Sequence, residues 1–220
     1  MTDKYEYDYE WDKKYCYQNS FVLINKLNVT DGESLQIAER EITSLTIAKA
    51  KDIPVKGIFD VKHLQKIHRF VFKDIYSWAG KFRSVDISKG NQFCRYIHLE
   101  TYAADIFEKL KKENYLIGTA EENIPLRLAY YMSEINVLHP FREGNGRTQR
   151  IFIEYLANVA GYEVDFTNVS DKEMIIASAE SFAKEYIKLN ALFERITVPI
   201  SKEEQRNAIA TFFGKNNKLI

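Results

Sequence analysis

Cysteine is scarce in this sequence, and the two thiols that occur are not arranged for a metal site or a disulfide framework. Cys16 and Cys94 lie far apart in a chain of 220 residues, without the close spacing that metal ligands use. A disulfide-stapled secreted domain is therefore not expected. We interpret both cysteines as structural thiols of a protein that works in a reducing compartment.

An excess of charge and a long apolar run are also missing. Lys and Arg total 31 and Asp and Glu total 31, whereas binding along a nucleic-acid backbone depends on excess positive charge. No apolar run approaches the about 18 residues of a membrane-spanning helix. The N-terminal run MTDKYEYDYEWDKKY is acidic and aromatic, unlike a secretory signal peptide. We expect a cytoplasmic protein with neither a nucleic-acid nor a membrane partner, and delivery into a host cell stays open.

Proline and glycine are few as well, at 4 and 9 residues, and helical periodicity dominates the chain. Hydrophobic residues make up 45% of the sequence, enough for a large buried core. The pattern predicts an all-α fold of about eight helices, with Asp60 as an N-cap. It also predicts a helical tail at 201–220, which we expect to pack on the core rather than to bind a partner. Apolar residues recur at helical spacing in the segments 33–51, 59–75, 99–116, 124–138, 148–160, 171–186, 187–196 and 202–213.

One stretch, KFRSVDISKGNQFCRYIHLE at residues 81–100, breaks the helical pattern. Apolar and polar residues alternate at its start, Lys89-Gly90-Asn91 supply turn chemistry, and residues 93–97 have the composition of a second short strand. Because a lone hairpin is marginally stable in water, it must rest on the helices. The sequence therefore predicts one small β-hairpin in an otherwise helical protein.

The run HPFREGNGRTQR at residues 139–150 concentrates chemistry that a buried helix does not need. The first N–H groups of a helix lack intrahelical partners and carry partial positive charge. Gly144 and Gly146 let that backbone approach an anion without a clashing Cβ. Arg147 and Arg150 share one side of the first turns, where a polyphosphate would compensate their charge. The spacing predicts a phosphate-binding helix N-terminus at residues 144–150, here called the anion cradle.

A histidine and a carboxylate precede the cradle. Glu143 would repel bound phosphates unless a cation bridges them, and Mg²⁺ held by one carboxylate plus phosphate oxygens fits that arrangement. His139 can serve as a neutral base near neutral pH, and Phe141 is expected to point inward and anchor the loop. Each residue alone has an ordinary structural explanation as a cap, a turn or a solvated charge. Their coincidence within one short run indicates a site.

At every fixed position the run matches the Fic-family motif H-x-F-x-[D/E]-G-N-G-R-x-x-R, and the chain resembles that family over roughly residues 15–200. Residues 67–80 resemble the approach to the family's hairpin, and Lys89-Gly90 resemble its flap. The nearer resemblance is to bacterial members of the toxin–antitoxin and secreted-effector type. The resemblance implies the mainly helical Fic fold, with residues 1–200 as a Fic domain that carries an N-terminal helical extension.

For function, the resemblance implies AMPylation, the transfer of AMP from ATP to a Tyr, Thr or Ser hydroxyl of a target protein with release of pyrophosphate. His139 would deprotonate the hydroxyl, and Glu143 would hold Mg²⁺ between the α- and β-phosphates. The hairpin at residues 85–97 would pair with an extended segment of the target. The other positions expected to bind the nucleotide are a loop arginine on an unconstrained motif position, the cradle and the flap: Arg142, Gly144, Asn145, Gly146, Arg147, Arg150, Lys89 and Gly90.

Many members of the family are inhibited by a helix that carries [S/T]-x-x-x-E-[G/N], and this sequence holds no complete copy of that motif. Ser181 and Thr2 are each followed four residues later by a glutamate, but the next position is tyrosine in both places. The resulting hypothesis is that a separate small antitoxin supplies the helix. The alternative is an unregulated or secreted enzyme.

Two other functions stay open. One is a Fic variant that transfers UMP, phosphate or phosphocholine, or that removes AMP from a modified protein; the retained Gly144 and Gly146 favour AMP transfer. The other is a protein-docking module without catalysis, against which His139 and Glu143 argue.

Overall fold

Helices dominate the computed structural model, which describes residues 13–89 and 91–214. The prediction of an all-α fold of about eight helices is confirmed for this part of the chain. No helix within it combines the length and the apolar character that crossing a membrane requires. The α-helices are α1 Gly32–Asp52, α2 Val61–Phe72, α3 Leu99–Lys112, α4 Ile124–Leu138, α5 Asn145–Ala160, α6 Asp171–Phe182, α7 Ile187–Ile196 and α8 Lys202–Phe213.

Side-chain caps mark the starts of α1, α2, α6 and α8. The Asp60 carboxylate accepts a hydrogen bond from the His63 N–H at 2.7 Å, which confirms Asp60 as the N-cap of α2. Ser170 caps α6 in the same way, and Ser201 forms a capping box with Glu204 at the start of α8. Each cap satisfies a backbone N–H that the helix itself leaves without a partner.

Two helix ends lie well before the predicted ones. α3 stops at Lys112 because residues 114–116 all have positive φ angles between 52° and 63°. α6 stops at Phe182, and Lys184 follows with a φ of 66°. The prediction of helix as far as 116 is wrong because an apolar period reports burial, which the packed turn at 114–116 continues as well as a helix does. The prediction of helix as far as 186 is also wrong, and residues 183–185 are exposed.

The centre of the fold is α5, which packs against α2, α4 and α8. It ends at Gly161, as predicted, with a φ of 98°. It begins at Asn145, three positions before the predicted start at 148, so the motif glycines lie at its first turn. The motif is therefore attached to the most enclosed helix, whose buried apolar residues include Ile151, Phe152, Ile153, Leu156 and Val159.

The tail helix α8 packs against α5 and buries Ile209 and Phe212. For residues 202–213 this agrees with the expectation that the tail packs on the core, and residues 215–220 of the predicted tail lie outside the described residues. The division of the chain into residues 1–200 and 201–220 stays a prediction.

Two small antiparallel sheets accompany the helices. β1 (Ser88–Lys89) pairs with β2 (Asn91–Gln92), which confirms a hairpin in this segment. The strand predicted at residues 93–97 is wrong, because the ladder is only two residues long on each side and includes Lys89 and Asn91 of the predicted turn. The segment after β2 forms a 3-10 helix at Tyr96–His98 instead of a longer strand. A second pair, β3 (Tyr162–Val164) with β4 (Thr197–Pro199), was not predicted, because strands this short carry no periodic signal.

Candidate active site

The motif lies where α4 ends and α5 begins. His139 is the C-cap of α4 with φ 43° and ψ 57°, a left-handed conformation that non-glycine residues seldom adopt. Gly144 is the N-cap of α5 with φ 79° and ψ 11°. Two left-handed residues therefore bracket one short loop, and the loop joins the histidine to the helix N-terminus.

The two cradle glycines are required for different reasons. A Cβ on Gly144 would lie 2.2 Å from Cζ of Phe72, so packing and backbone conformation both demand glycine there. A Cβ on Gly146 would meet only a guanidinium nitrogen of Arg150, at 3.8 Å. Packing therefore does not explain Gly146, whereas close approach of an anion to the helix backbone does.

His139 is held by an aromatic stack and by a hydrogen bond at one ring nitrogen. The side chain is buried, and its ring stacks on Phe93 with 3.7 Å between centroids and 12° between planes. Nδ1 lies 3.2 Å from the carbonyl oxygen of Asn136. A carbonyl can only accept, so this contact places the proton of a neutral ring on Nδ1 and leaves the Nε2 lone pair as the basic site.

Asn145 fixes the loop from inside. Its Oδ1 accepts from the Phe141 N–H at 2.9 Å, and its Nδ2 donates to the Phe141 carbonyl at 2.7 Å. Phe141 is buried, as predicted for the residue that anchors the loop. The Asn145 amide is thus engaged with protein backbone, and the N-terminal backbone of α5 remains the part of the cradle that can face an anion.

His68, on α2, holds the next loop residue. The Gly80 N–H donates to its Nδ1 at 2.8 Å, and its Nε2 donates to the Glu143 carbonyl at 2.9 Å. Burial lowers the pKa of His68 to about 3, and the nearby Arg147 charge acts in the same direction. His68 is therefore neutral at ordinary pH, and its ring stacks on Phe141 with 3.8 Å between centroids.

Glu143 places a carboxylate at the N-terminus of α5. Its Oε1 accepts from the Gly144 N–H at 2.7 Å and lies 3.4 Å from Nη2 of Arg147. The side chain is 23% exposed, so solvent can reach it. Among the described residues no group of three or more His, Cys, Asp or Glu side chains could hold a metal. A single carboxylate suits Mg²⁺, which keeps water and phosphate oxygens as its other ligands.

Arg147 is fixed by the first helix. Its Nη2 pairs with Glu39, its Nη1 donates to the Thr43 hydroxyl at 3.0 Å, and its guanidinium lies 4.8 Å from the ring centroid of Phe72. Burial acts to lower the pKa of Arg147, but the carboxylates of Glu39 and Glu143 outweigh it and raise that pKa above its ordinary value. Arg147 therefore links α1 to the cradle.

Arg150 differs from Arg147 because its guanidinium has no hydrogen bond or ion pair with any residue that the structure describes. Its guanidinium lies beside Gly146 at the first turn of α5. Burial lowers the pKa of Arg150, and Asp171 partly opposes that shift. A half-buried cation next to a helix N-terminus favours an anionic ligand.

The remaining predicted positions lie outside this arrangement or outside the described residues. Arg142 is buried, with Nη2 3.8 Å from Sγ of Cys16 and its guanidinium 5.8 Å from the ring centroid of Tyr15. These contacts join the loop to the N-terminal segment. Lys89 lies in β1; its side chain and Gly90 are not among the parts that the structure describes.

Three residues of the site were not predicted from the sequence: Glu39, His68 and Arg83. All three are polar side chains from other elements that bond to the motif. His68 stands within a segment that resembles the family, but no spacing connects it to Glu143. Only a polar residue at an otherwise apolar helical position could have signalled it.

Comparisons with known proteins show the family of the chain. A model of the Fic/DOC family matches residues 58–157. The Probable protein adenylyltransferase Fic of Escherichia coli is 34% identical over 206 residues, which cover 93% of this chain and 100% of that protein. The chain belongs to the Fic/DOC family. Its motif at residues 139–150 is therefore a Fic motif in sequence, in fold and in position at a helix N-terminus.

Two further relatives extend the Fic comparison. Protein adenylyltransferase VbhT of Bartonella schoenbuchensis is 41% identical over 175 residues, or 79% of this chain, but the chain spans only 37% of the length of VbhT. The crystal structure of the BepC protein of Bartonella tribocorum, a VirB-translocated effector with bound AMPPNP, matches with a TM-score of 0.80 and 25% identity. That match covers 86% of this chain and 99% of the BepC chain.

Proposed function

We propose that this chain is a protein adenylyltransferase, which transfers AMP from ATP to a Tyr, Thr or Ser hydroxyl of a target protein and releases pyrophosphate. The observation that carries the proposal is one loop with a histidine base at its start and an anion cradle at its end. Relatives named protein adenylyltransferase, and a solved relative with bound AMPPNP, support it. The chemistry needs little more than positioning and charge stabilisation.

In the proposed reaction the target hydroxyl oxygen attacks the α-phosphorus of ATP. A P–O bond forms there, and the bond from the α-phosphorus to the oxygen shared with the β-phosphate breaks, so that pyrophosphate departs. His139 accepts the hydroxyl proton on Nε2. Stacking on Phe93 and the Nδ1–H bond to Asn136 hold the ring plane, so the base needs no reorientation when the substrate arrives.

The cradle backbone and the two arginines would bind the phosphates. Arg150 suits direct binding of the β- and γ-phosphates because no described residue uses its guanidinium. Arg147 contributes its charge from a position that Glu39 and Thr43 set. Gly146 leaves the helix backbone accessible to the anion.

Glu143 is the side chain that would hold Mg²⁺. When bound, the metal would supply positive charge that offsets part of the negative charge of the phosphates. The Glu143 carboxylate accepts the Gly144 N–H in the structure. If a bound phosphate accepted the Gly144 N–H instead, the Glu143 carboxylate would be available to hold the cation.

The hairpin would receive the target. It lies beside the base, because Phe93 follows β2 directly and stacks on His139. An extended target segment that pairs with the hairpin backbone would have its register fixed without a demand for one sequence.

We further propose that a separate small antitoxin inhibits the enzyme and that the reaction takes place in the cytoplasm of its own cell or of a host. Recovery of a small partner when the protein is isolated from native cells would support the antitoxin.

Radiolabelled ATP tests the function. With Mg²⁺ and a cell lysate, label on the α-phosphate should pass to protein and label on the γ-phosphate should not. Transfer of the γ-label would instead indicate a phosphate-transferring variant, and no transfer of either label would indicate a docking module.

Substitution of the base tests its role. We expect His139→Ala to lower transfer by roughly 10²–10⁴-fold while ADP affinity, measured by calorimetry, stays within about threefold. His98→Ala, which removes an exposed histidine, is the matched control and should transfer like the parent. Equal labelling by His139→Ala and His98→Ala contradicts the assignment of His139 as the base.

A second substitution tests the metal role of Glu143. Glu143→Ala should lose Mg²⁺-dependent transfer, and undiminished transfer at saturating Mg²⁺ contradicts the metal role.

A further inference from the structure

Arg83 is a buried cation that the proposed reaction does not use. It precedes the hairpin, and its side chain is 0% exposed. Its guanidinium donates to three backbone carbonyls: Nε to His139 at 2.9 Å, Nη1 to Val85 at 2.6 Å, and Nη2 to Cys94. One side chain therefore joins the base to both arms of the hairpin.

Within the described part of the chain, no close buried carboxylate balances the charge of Arg83. Among the described residues Asp86 is its ion-pair partner, with Oδ1 3.8 Å from Nη1 and a side chain that is 35% exposed. The same carboxylate accepts the Tyr96 N–H at 2.7 Å and lies 3.5 Å from Nε of Arg95. Burial of a cation with so loose a counter-charge is costly. An apolar side chain at position 83 would avoid that cost. What the guanidinium provides instead is directed hydrogen bonds to the three carbonyls.

These bonds compensate for a hairpin that has little structure of its own. Its ladder joins two residues on each side. Backbone bonds reinforce the attachment, since the Arg83 N–H donates to the Pro140 carbonyl at 2.8 Å and the Cys94 N–H donates to the Val137 carbonyl at 3.0 Å. The direction in which the hairpin leaves the core is thus set at the end of α4.

The carbonyl that accepts from Nε of Arg83 belongs to a strained residue. His139 has a φ of 43° although it carries a side chain, a conformation that persists only when its surroundings hold it. The Arg83 bond to the His139 carbonyl is one such restraint, and the stack of Phe93 on the His139 ring is another. Both restraints come from the segment that carries the hairpin.

We propose that Arg83 is a positioning residue that couples the hairpin to His139, so that a target segment docked on the hairpin meets the base in register. The inference rests on the proposed function for its kinetic consequence only. The coupling itself is a property of the fold, and it is measured without any transfer reaction. Nucleotide binding, which depends on the cradle, is independent of it.

Hydrogen exchange and NMR test the coupling directly. In Arg83→Met we expect the Cys94 amide to exchange at least about tenfold faster and the ring resonances of His139 to shift. ADP affinity, measured by calorimetry, should stay within about threefold. Arg95→Met is the matched control, because Arg95 is exposed, lies on the same segment and pairs with the same Asp86. It should change neither the exchange nor the histidine resonances.

Transfer kinetics supply the functional readout. With α-labelled ATP and lysate protein, Arg83→Met should lower the rate of transfer to protein about 10²-fold and leave the apparent KM for ATP within about threefold. Arg83→Lys keeps the charge but not the fork of donors, and it should fall between the parent and Arg83→Met. If neither the parent protein nor any variant transfers AMP, the proposed function is wrong. The hydrogen-exchange measurement still tests the coupling between the hairpin and His139.

Three results would overturn the proposal. One is equal exchange at Cys94 in Arg83→Met and Arg95→Met. Another is a loss of ADP affinity in Arg83→Met as large as its loss of transfer, because the effect would then not be confined to the hairpin side. The third is failure of both Arg83→Met and Arg83→Lys to fold, which would make Arg83 a residue of general stability.

Discussion

The anion cradle and the hairpin form two sides of one site, but they are held in place differently. Cradle residues bond or pack against side chains of other helices, as Gly144 does against Phe72 and Arg147 against Glu39. The hairpin has two residues in each strand and is tied at its base by Arg83. A cradle packed against several helices would suit the constant nucleotide of the proposed reaction, whereas a short hairpin attached at its base would suit target segments that vary.

The largest expected effect is on the cradle side. Gly144→Ala places a Cβ against Phe72 at a left-handed backbone position, and we expect the free energy of unfolding to fall by about 3–5 kcal/mol in urea denaturation. Gly146→Ala is the control. Its Cβ meets only Arg150 at 3.8 Å, so stability should hold or rise by less than about 1 kcal/mol while ADP binding weakens. Equal stability of the two variants would show that the cradle is not rigid.

Acid should destabilise the fold through two buried histidines of α2. Burial lowers the pKa of His68 to about 3 and that of His63, also on α2, to about 4. Folded values below the unfolded value of about 6.5 mean that this stabilisation is complete above pH 6.5 and is lost as the pH falls toward the folded values. Each histidine should contribute a slope of about 1.4 kcal/mol per pH unit.

Urea unfolding between pH 6.5 and 5 measures that slope. His68→Phe keeps the aromatic stack on Phe141 but takes up no proton, so its unfolding free energy should depend on pH about half as steeply. His68→Gln can still donate from its amide to the Glu143 carbonyl. We therefore expect His68→Gln to bind ADP more tightly than His68→Phe does. An unchanged slope in His68→Phe would contradict the neutral, buried state of His68.

Two side-chain amides, Asn145 in the cradle and Gln92 in the hairpin, allow the two regions to be compared by the unfolding free energy that each side chain contributes. Asn145→Ala leaves the buried N–H and carbonyl of Phe141 without their partner, and we expect a loss of about 2–4 kcal/mol of unfolding free energy. Gln92→Ala, on the exposed side of the hairpin strand β2, should change it by less than about 0.5 kcal/mol. Similar losses in both variants would remove the contrast between cradle and hairpin.

The smallest effect distinguishes two arginines within the cradle. Arg150→Ala should weaken ADP binding roughly ten- to hundredfold with little change in stability, because no described residue depends on it. Arg147→Ala should also destabilise the fold, since it leaves Glu39 without its ion-pair partner. Calorimetry with ADP and urea unfolding separate the two losses. A destabilised Arg150→Ala would show that Arg150 has a structural role.

Prediction from sequence worked where structure is local. Helical spacing located the eight helices, Asp60 marked the start of α2, and Gly161 marked the end of α5. It failed at residues 114–116, where a packed turn continues the apolar pattern, and at β3 and β4, whose pairing joins residues far apart in the chain. Apolar periodicity describes which residues are buried, and the backbone conformation follows from it only within regular elements.

The sequence by itself determined the chemistry of the motif, because residues 139–150 are contiguous and one helix start fixes their relative positions. Only the tertiary structure decided which motif groups remain available. Glu39 reaches Arg147 across 108 positions, His68 reaches Glu143 across 75, and Arg83 reaches His139 across 56. Such contacts depend on how helices pack rather than on spacing along the chain, so the difference between a restrained Arg147 and an available Arg150 exists only in the folded protein.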